Sequence, residues 1–232
     1  MDRYNRNILI EGFGEEGQQR LASAKVLVVG AGGLGSPVLF YLAAAGIGTL
    51  GIIDNDVVDL SNLQRQIIHR TNDIRQLKTE SAKEKILALN PDTNIHTYKE
   101  RFTTENAAAI IQQYDFIVDC CDNYSTKYLI NDVCVAESKP FSHGAVIALR
   151  GEVMTYIPGC ADYRAVFGNP PEAGSVPTSA QAGILGSIAG VVGSIQATEV
   201  IKYLTGIGDL ITNRILIFDG KTMMFHSLKV ND

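Results

Sequence analysis

The segment KVLVVGAGGLGSPVLFYLAAAGIGTLGIID, residues 25 to 54, constrains this chain more than any other. Its apolar run from Val26 to Val29 suits a strand buried on both faces. A glycine turn, an apolar helix and a second strand follow. Gly30, Gly32 and Gly35 match G-x-G-x-x-G. In that context the first glycine lets the chain turn tightly, the second admits a phosphate, and the third lets helix and strand pack. The helix N-terminus then presents free N–H groups and a positive dipole end to an anion. Asp54 closes the second strand, 19 residues after Gly35, where a carboxylate can take a ribose hydroxyl. A glycine-rich packing turn without a ligand is the competing reading. The motif points to an adenine nucleotide and does not separate NAD from ATP.

The rest of the chain continues the alternation. TESAKEKILALN reads as an amphipathic helix with Thr79 as its cap and Pro91 beyond its end. NIHTYKE reads as an edge strand, TTENAAAIIQQY as a helix and DFIVDCCDN as a third buried strand ending in acids. A helix over TKYLINDVCVAESK precedes strands in PFSHGAVIA and GEVMTYIP. The sequence predicts an α/β fold, a Rossmann-like doubly wound sheet that is mostly parallel, with antiparallel strands added at the C-terminal end. Residues 1–232 form one domain in this reading, with a nucleotide-binding core over about 24–145 and a crossover loop over about 159–182. AGILGSIAGVVGSIQATEVIKYL is apolar enough to raise a membrane span, but Gln196, Glu199 and Lys202 recur at helical spacing, so a buried core helix is expected. RILIFDGKTMMFHSLKV is expected to be a hairpin turning at Asp219-Gly220.

A net charge of −5 argues against nucleic-acid and anionic-membrane partners. The four cysteines show no CxxC spacing and read as reduced intracellular thiols. The charged N-terminus has no apolar signal core, so a cytoplasmic protein is expected.

Beyond Asp54 the chain places Arg65, Arg70, Arg75 and Lys78 in one short span. Arg65 and Lys78 fall on the carboxyl side of the sheet, where open α/β folds bind ligands. An arginine and a lysine there suit a triphosphate better than the two-charge bridge of NAD. Arg70 and Arg75 read as solvated surface charges. Asp122, at the end of FIVDCCD, can hold Mg²⁺ against phosphate oxygens. Asp119 could equally make structural hydrogen bonds at the strand end, and Cys120 and Cys121 read as small apolar fillers.

RYNRNILIEGFGEEGQQRL, the glycine segment, LSNLQRQ, VDCCDN and GVVGSIQATEVIKYLTG together resemble the ThiF/MoeB/HesA family, bacterial relatives of the ubiquitin-activating enzymes. The resemblance runs from about residue 3 to 228, and NLQRQ has no counterpart in NAD dehydrogenases. It implies an enzyme that uses ATP and Mg²⁺ to adenylate the C-terminal Gly-Gly carboxylate of a ubiquitin-like sulfur carrier. That carrier would be ThiS-like, in thiamine synthesis, or MoaD-like, in molybdopterin synthesis. On this implication Gly30, Gly32, Gly33 and Gly35 form the phosphate loop, and Asp54, with Asp56 in the same site, takes the ribose. Asn62, Arg65, Gln66 and Lys78 line the phosphates, and Asp122 holds Mg²⁺. Arg6 reaches into the neighbouring subunit's site, so a homodimer is implied.

The chain departs from the family pattern in two places. Many relatives carry two CxxC pairs for a structural zinc, whereas GCADYRAVFG retains Cys160 with Ala165 where a second cysteine would fall, so no zinc site is expected. The place of the covalent cysteine falls on Ser179, so the enzyme is expected to stop at the acyl-adenylate and leave sulfur loading to a separate sulfurtransferase. Three other functions remain open at this point: an NAD-dependent oxidoreductase, a relative that adenylates another carboxylate as tRNA-modifying dehydratases do, and a non-catalytic scaffold.

Overall fold

A computed structural model describes residues 2–172, 175–176 and 179–230. Its strands are β1 (Lys25–Val29), β2 (Thr49–Ile53), β3 (Asn94–Tyr98), β4 (Phe116–Asp119), β5 (Phe141–Ile147), β6 (Arg150–Tyr156), β7 (Arg214–Asp219) and β8 (Met224–Lys229). They form one sheet in the order β3-β2-β1-β4-β5-β6-β7-β8. The pairings among β1 to β5 are parallel, and β5–β6, β6–β7 and β7–β8 are antiparallel. This is the expected doubly wound sheet with its antiparallel extension.

The helices are α1 (Asn5–Ile8), α2 (Gly14–Ser23), α3 (Gly35–Ala45), α4 (Lys78–Leu89), α5 (Ala107–Ile111), α6 (Tyr124–Ala136), α7 (Tyr163–Phe167), α8 (Ser179–Ala182) and α9 (Gly186–Thr205). Alternate residues of a strand face opposite sides of a sheet. Val26, Val28, Leu50, Ile52 and Val118 therefore pack under α3, α4 and α9 on one side. Leu27, Val29, Ile53 and Ile117 pack under α5 and α6 on the other. Coverage of both faces explains why β1 and β4 are near-continuous apolar runs rather than alternating ones.

α9 is the expected core helix, and its polar residues bind it to the sheet. Gln196 Nε2 donates to Asp119 O at 2.8 Å and to Ser142 O at 3.2 Å. Glu199 Oε2 accepts from Thr155 Oγ1 at 2.7 Å and from Ile211 N at 2.6 Å. Such partners offset the desolvation of buried polar groups. Among the described residues no helix is long and apolar enough to cross a membrane.

Two local expectations change. Thr79 does not cap α4: the cap position is Leu77 and the helix starts at Lys78, leaving Thr79 buried in its first turn. The chain enters from a bridge between Val57 and Leu77, which sets the start by pairing rather than by a side-chain cap. The hairpin turns over residues 220–223 rather than at Asp219-Gly220, because Asp219 still pairs with Met224. A Cβ at Gly220 would lie 2.5 Å from Ile188 Cδ1, so this glycine serves close packing against α9. The stretch expected as a crossover loop contains the short helices α7 and α8.

Candidate functional site

The strand order reverses between β1 and β4, where a doubly wound sheet opens a crevice at the strands' carboxyl ends. The glycine loop leaves β1 on one side of that crevice, and the segment carrying Asp122 leaves β4 on the other. Packing explains two of the four glycines. Gly30 has φ +102°, and a Cβ there would lie 2.8 Å from Cys120 O. A Cβ at Gly35 would lie 2.0 Å from Gly30 O. Gly32 and Gly33 are different: added Cβ atoms would meet Gln66 Nε2, Arg65 Cγ and Ala189 Cβ no closer than 3.5 Å, which is ordinary contact. Among the described residues the N–H groups of Gly32 and Gly33 donate to no protein acceptor. Neither packing nor backbone strain requires glycine at these two positions, and their amides can serve as an anion-accepting edge.

Asp54 is oriented by backbone. Its Oδ2 accepts from Ala31 N at 2.8 Å and its Oδ1 from Asp56 N at 2.8 Å. Burial pushes its carboxyl above the ordinary value, against the pull of Lys78 and these two amides. Beyond it, Asp59 Oδ1 accepts from Ser61 N at 2.8 Å and Asn62 Oδ1 accepts from Asp59 N at 3.1 Å. This reciprocal cap fixes a 3-10 turn over Leu60–Asn62. The backbone N–H groups of Arg65 and Gln66 then bond to Asn62 O at 3.1 and 2.9 Å, which seats both residues beside the glycine loop. Arg65 Nη1 donates to Ser61 O at 3.1 Å. Gln66 is buried, and its Oε1 meets no donor in the protein.

The remaining candidates are placed as follows. Lys78 is buried and its Nζ pairs with Asp56 Oδ2 at 2.9 Å, so two expected site residues engage each other. Asp122 is exposed, and no hydrogen bond or ion pair engages its carboxylate among the described residues. Arg70 and Arg75 are exposed, in keeping with their reading as surface charges. Arg6 is exposed on α1 with no bond to this chain's glycine loop. The side chain of Ser179 lies outside what the structure describes. Among the described residues no three His, Cys, Asp or Glu side chains are grouped to hold a metal ion by themselves.

One cluster escaped sequence reasoning. Asp119 Oδ2 accepts from Lys127 Nζ at 3.0 Å and His143 Nδ1 at 2.7 Å, and its Oδ1 accepts from Cys121 N at 3.0 Å. Burial raises the Asp119 carboxyl, but Lys127 and His143 outweigh it and hold the group at about 2. Lys127 Nζ also donates to Gly144 O at 2.8 Å. Of the two readings open for Asp119, this geometry favours structural hydrogen bonding: the carboxylate ties β4, β5 and α6 together directly beneath the loop that carries Asp122. The sequence pattern singles out neither Lys127 nor His143, because nothing local marks their burial. Burial also raises the thiols of Cys120 and Cys121 well above their ordinary range, in keeping with packing rather than nucleophilic roles.

The chain is 42% identical over 98% of its length to the "Probable adenylyltransferase/sulfurtransferase MoeZ" of Mycobacterium tuberculosis, and spans 59% of that protein. It is 43% identical to the "SAMP-activating enzyme E1" of Haloferax volcanii, covering 98% of this chain and 84% of that one. It is 42% identical to the "Sulfur carrier protein adenylyltransferase" of Thermus thermophilus, covering 99% and 87%. Among solved structures, E. coli MccB with ATP superposes with a TM-score of 0.86 at 22% identity, covering 100% of this chain and 72% of that one, a likeness of fold. The sequence profile described as "ThiF family" matches residues 4–232. The chain belongs to the ThiF family.

Proposed function

We propose that this protein is an ATP-dependent adenylyltransferase that activates the C-terminal Gly-Gly carboxylate of a ubiquitin-like sulfur carrier, ThiS-like or MoaD-like. The observation that carries the reading is the convergence at one crevice of the unpaired Gly32 and Gly33 amides, Arg65 beside them, and the uncommitted carboxylate of Asp122. Relatives named as adenylyltransferases, one of them acting on sulfur carrier protein, support it. An NAD-dependent oxidoreductase would use the loop and Asp54 but would leave Arg65, Lys78 and Asp122 without a task.

In the reaction a carboxylate oxygen of the carrier attacks the α-phosphorus of ATP. The bond from that phosphorus to the bridging oxygen breaks, and its electron pair leaves with pyrophosphate. The nucleophile is already ionised at neutral pH, so no general base is needed. Positioning and neutralisation of charge supply the catalysis. The loop amides hold phosphate oxygens, Asp54 takes the ribose, and Asn62, Arg65 and Gln66 line the phosphates. Lys78 exchanges Asp56 for a phosphate oxygen. Asp122 is the residue that would hold Mg²⁺, and one protein carboxylate fits an ion whose other ligands are phosphate and water. When bound, that ion neutralises charge on the phosphate oxygens.

The proposal includes a cytoplasmic homodimer in which Arg6 serves the neighbouring subunit's site. Arg6 lies on α1 close in sequence to exposed Leu9 and Ile10, and its neighbour Asn7 lines a groove with Tyr41, Ala44 and Thr198. The whole chain would act as one adenylation domain, with sulfur supplied by a separate sulfurtransferase. The test is exchange of labelled pyrophosphate into ATP in the presence of ThiS-like and MoaD-like carriers. Exchange with either supports the proposal, and exchange with neither refutes it.

A further inference from the structure

A histidine that no step of the proposed reaction uses lies directly behind the glycine loop. His69 is buried, its Nε2 lies 2.9 Å from Ala31 O, and its Nδ1 lies 2.8 Å from Ser81 Oγ on α4. Ala31 N donates to Asp54 Oδ2 at 2.8 Å, so both ends of this residue are held from opposite directions. We propose that His69 is a positioning residue for the phosphate loop: by gripping Ala31 O it fixes the peptide between Ala31 and Gly32, and with it the direction of the Gly32 N–H. This inference rests on the reading of the loop as a nucleotide-phosphate site.

The peptide is planar and trans, so its C=O and N–H point in opposite directions. With Ala31 O turned inward to His69, the Gly32 N–H points away from the core. Among the described residues that N–H has no protein acceptor. A loop with glycine at 30, 32, 33 and 35 has more backbone freedom than most turns, and an anion site needs its amides set before the ligand arrives. His69 supplies the restraint that the glycines lack.

A carbonyl can only accept, so Nε2 carries the hydrogen. Burial lowers the imidazole's pKa, against the Ala31 carbonyl and Asp73, so the ring is neutral at neutral pH and Nδ1 carries no hydrogen. On that side Ser81 Oγ, 2.8 Å from Nδ1, donates its single hydrogen to Asp73 Oδ2 at 2.9 Å, so the directed hydrogen bond of the neutral ring is the one from Nε2 to Ala31 O. Asp73 is in turn anchored by Lys85 Nζ at 2.6 Å and Arg70 N at 2.7 Å. The ring is thus packed against α4 beside a buried ion pair, and its Nε2–H is aimed at the loop.

Two amide side chains separate the two nitrogens. A glutamine amide can occupy the place of Nε2 and an asparagine amide the place of Nδ1. We would measure the Kd of Mg·ATP and of adenosine for wild type, His69→Gln and His69→Asn by calorimetry, with Tm on the same samples. His69→Asn should weaken Mg·ATP about 5–10-fold, as expected for loss of one hydrogen bond, while His69→Gln stays within about 2-fold. Adenosine, which has no phosphate, should bind all three alike. Equal losses in both variants, an unchanged Asn variant, or losses that track Tm would overturn the proposal. Failure of wild type to bind Mg·ATP would remove the nucleotide reading itself, and this inference with it.

Discussion

Replacement of Lys127 by methionine tests how the site's foundation is held. Lys127 and Asp119 have side chains 5% and 2% exposed and are 3.0 Å apart. Methionine fills much of the same space but leaves a buried carboxylate facing only His143 and one amide. Breaking a buried pair from one side costs about 3–5 kcal/mol. For a domain of this size that lowers the midpoint of thermal unfolding by roughly 6–20 °C. The pH dependence gives a second reading. Asp119 is held at about 2 when folded, below its ordinary 3.8, so its stabilising contribution is present above 3.8 and lost as pH falls toward 2. That contribution is on the order of 2 kcal/mol. Removal of Lys127 takes away the largest pull against burial, so the carboxyl rises from its wild-type position and its protonation in acid relieves the defect. The stability gap between wild type and Lys127→Met should therefore shrink from pH 7 to pH 5. Asp119→Asn combined with Lys127→Met should recover part of the loss, because no charge is left buried. A single variant within about 1 kcal/mol of wild type at pH 7 would refute the reasoning. So would a double variant less stable than the single.

Further predictions concern the loop and its partners. Gly35→Ala should lower the yield of folded protein, because its Cβ would meet Gly30 O at 2.0 Å, whereas Gly33→Ala should fold normally and lose Mg·ATP affinity. Circular dichroism and calorimetry separate the two effects, and normal affinity in Gly33→Ala would contradict the phosphate reading. Asp122→Ala should abolish pyrophosphate exchange with Tm unchanged, since the exposed carboxylate bonds to nothing among the described residues. Mixing inactive Arg6→Ala and Asp122→Ala subunits should restore part of the exchange if Arg6 acts across the dimer, and no restoration would place it elsewhere. Ser179→Ala should leave exchange largely intact, and a large loss would move the chemistry to that residue.

How much of this was legible in the sequence depends on the distance over which each feature is decided. Strand β1, the glycine turn, α3 and the alternation of elements follow from local patterning and from backbone conformations that only glycine adopts freely. The acids at strand ends were legible for the same reason: once the strands are found, their carboxyl ends are found too. Even so, the start of α4 and the turn of the hairpin were displaced, because a bridge at Leu77 and the pairing of Asp219 with Met224 decided them.

The sequence by itself determined the doubly wound fold, the position of the glycine loop, and which residues were candidates to meet an anion there. Only the tertiary structure decided which charged groups face one another. Lys78 is paired with Asp56, Lys127 is buried against Asp119 and His143, and His69 stands behind Ala31. His69 and Ala31 are 38 residues apart, and His143 and Asp119 are 24 apart. Hydrogen bonds act over about 3 Å, and no periodicity within one element encodes such a meeting. It is created when the sheet order brings β4 between β1 and β5 and the segment from Asp54 to α4 folds back over the glycine loop.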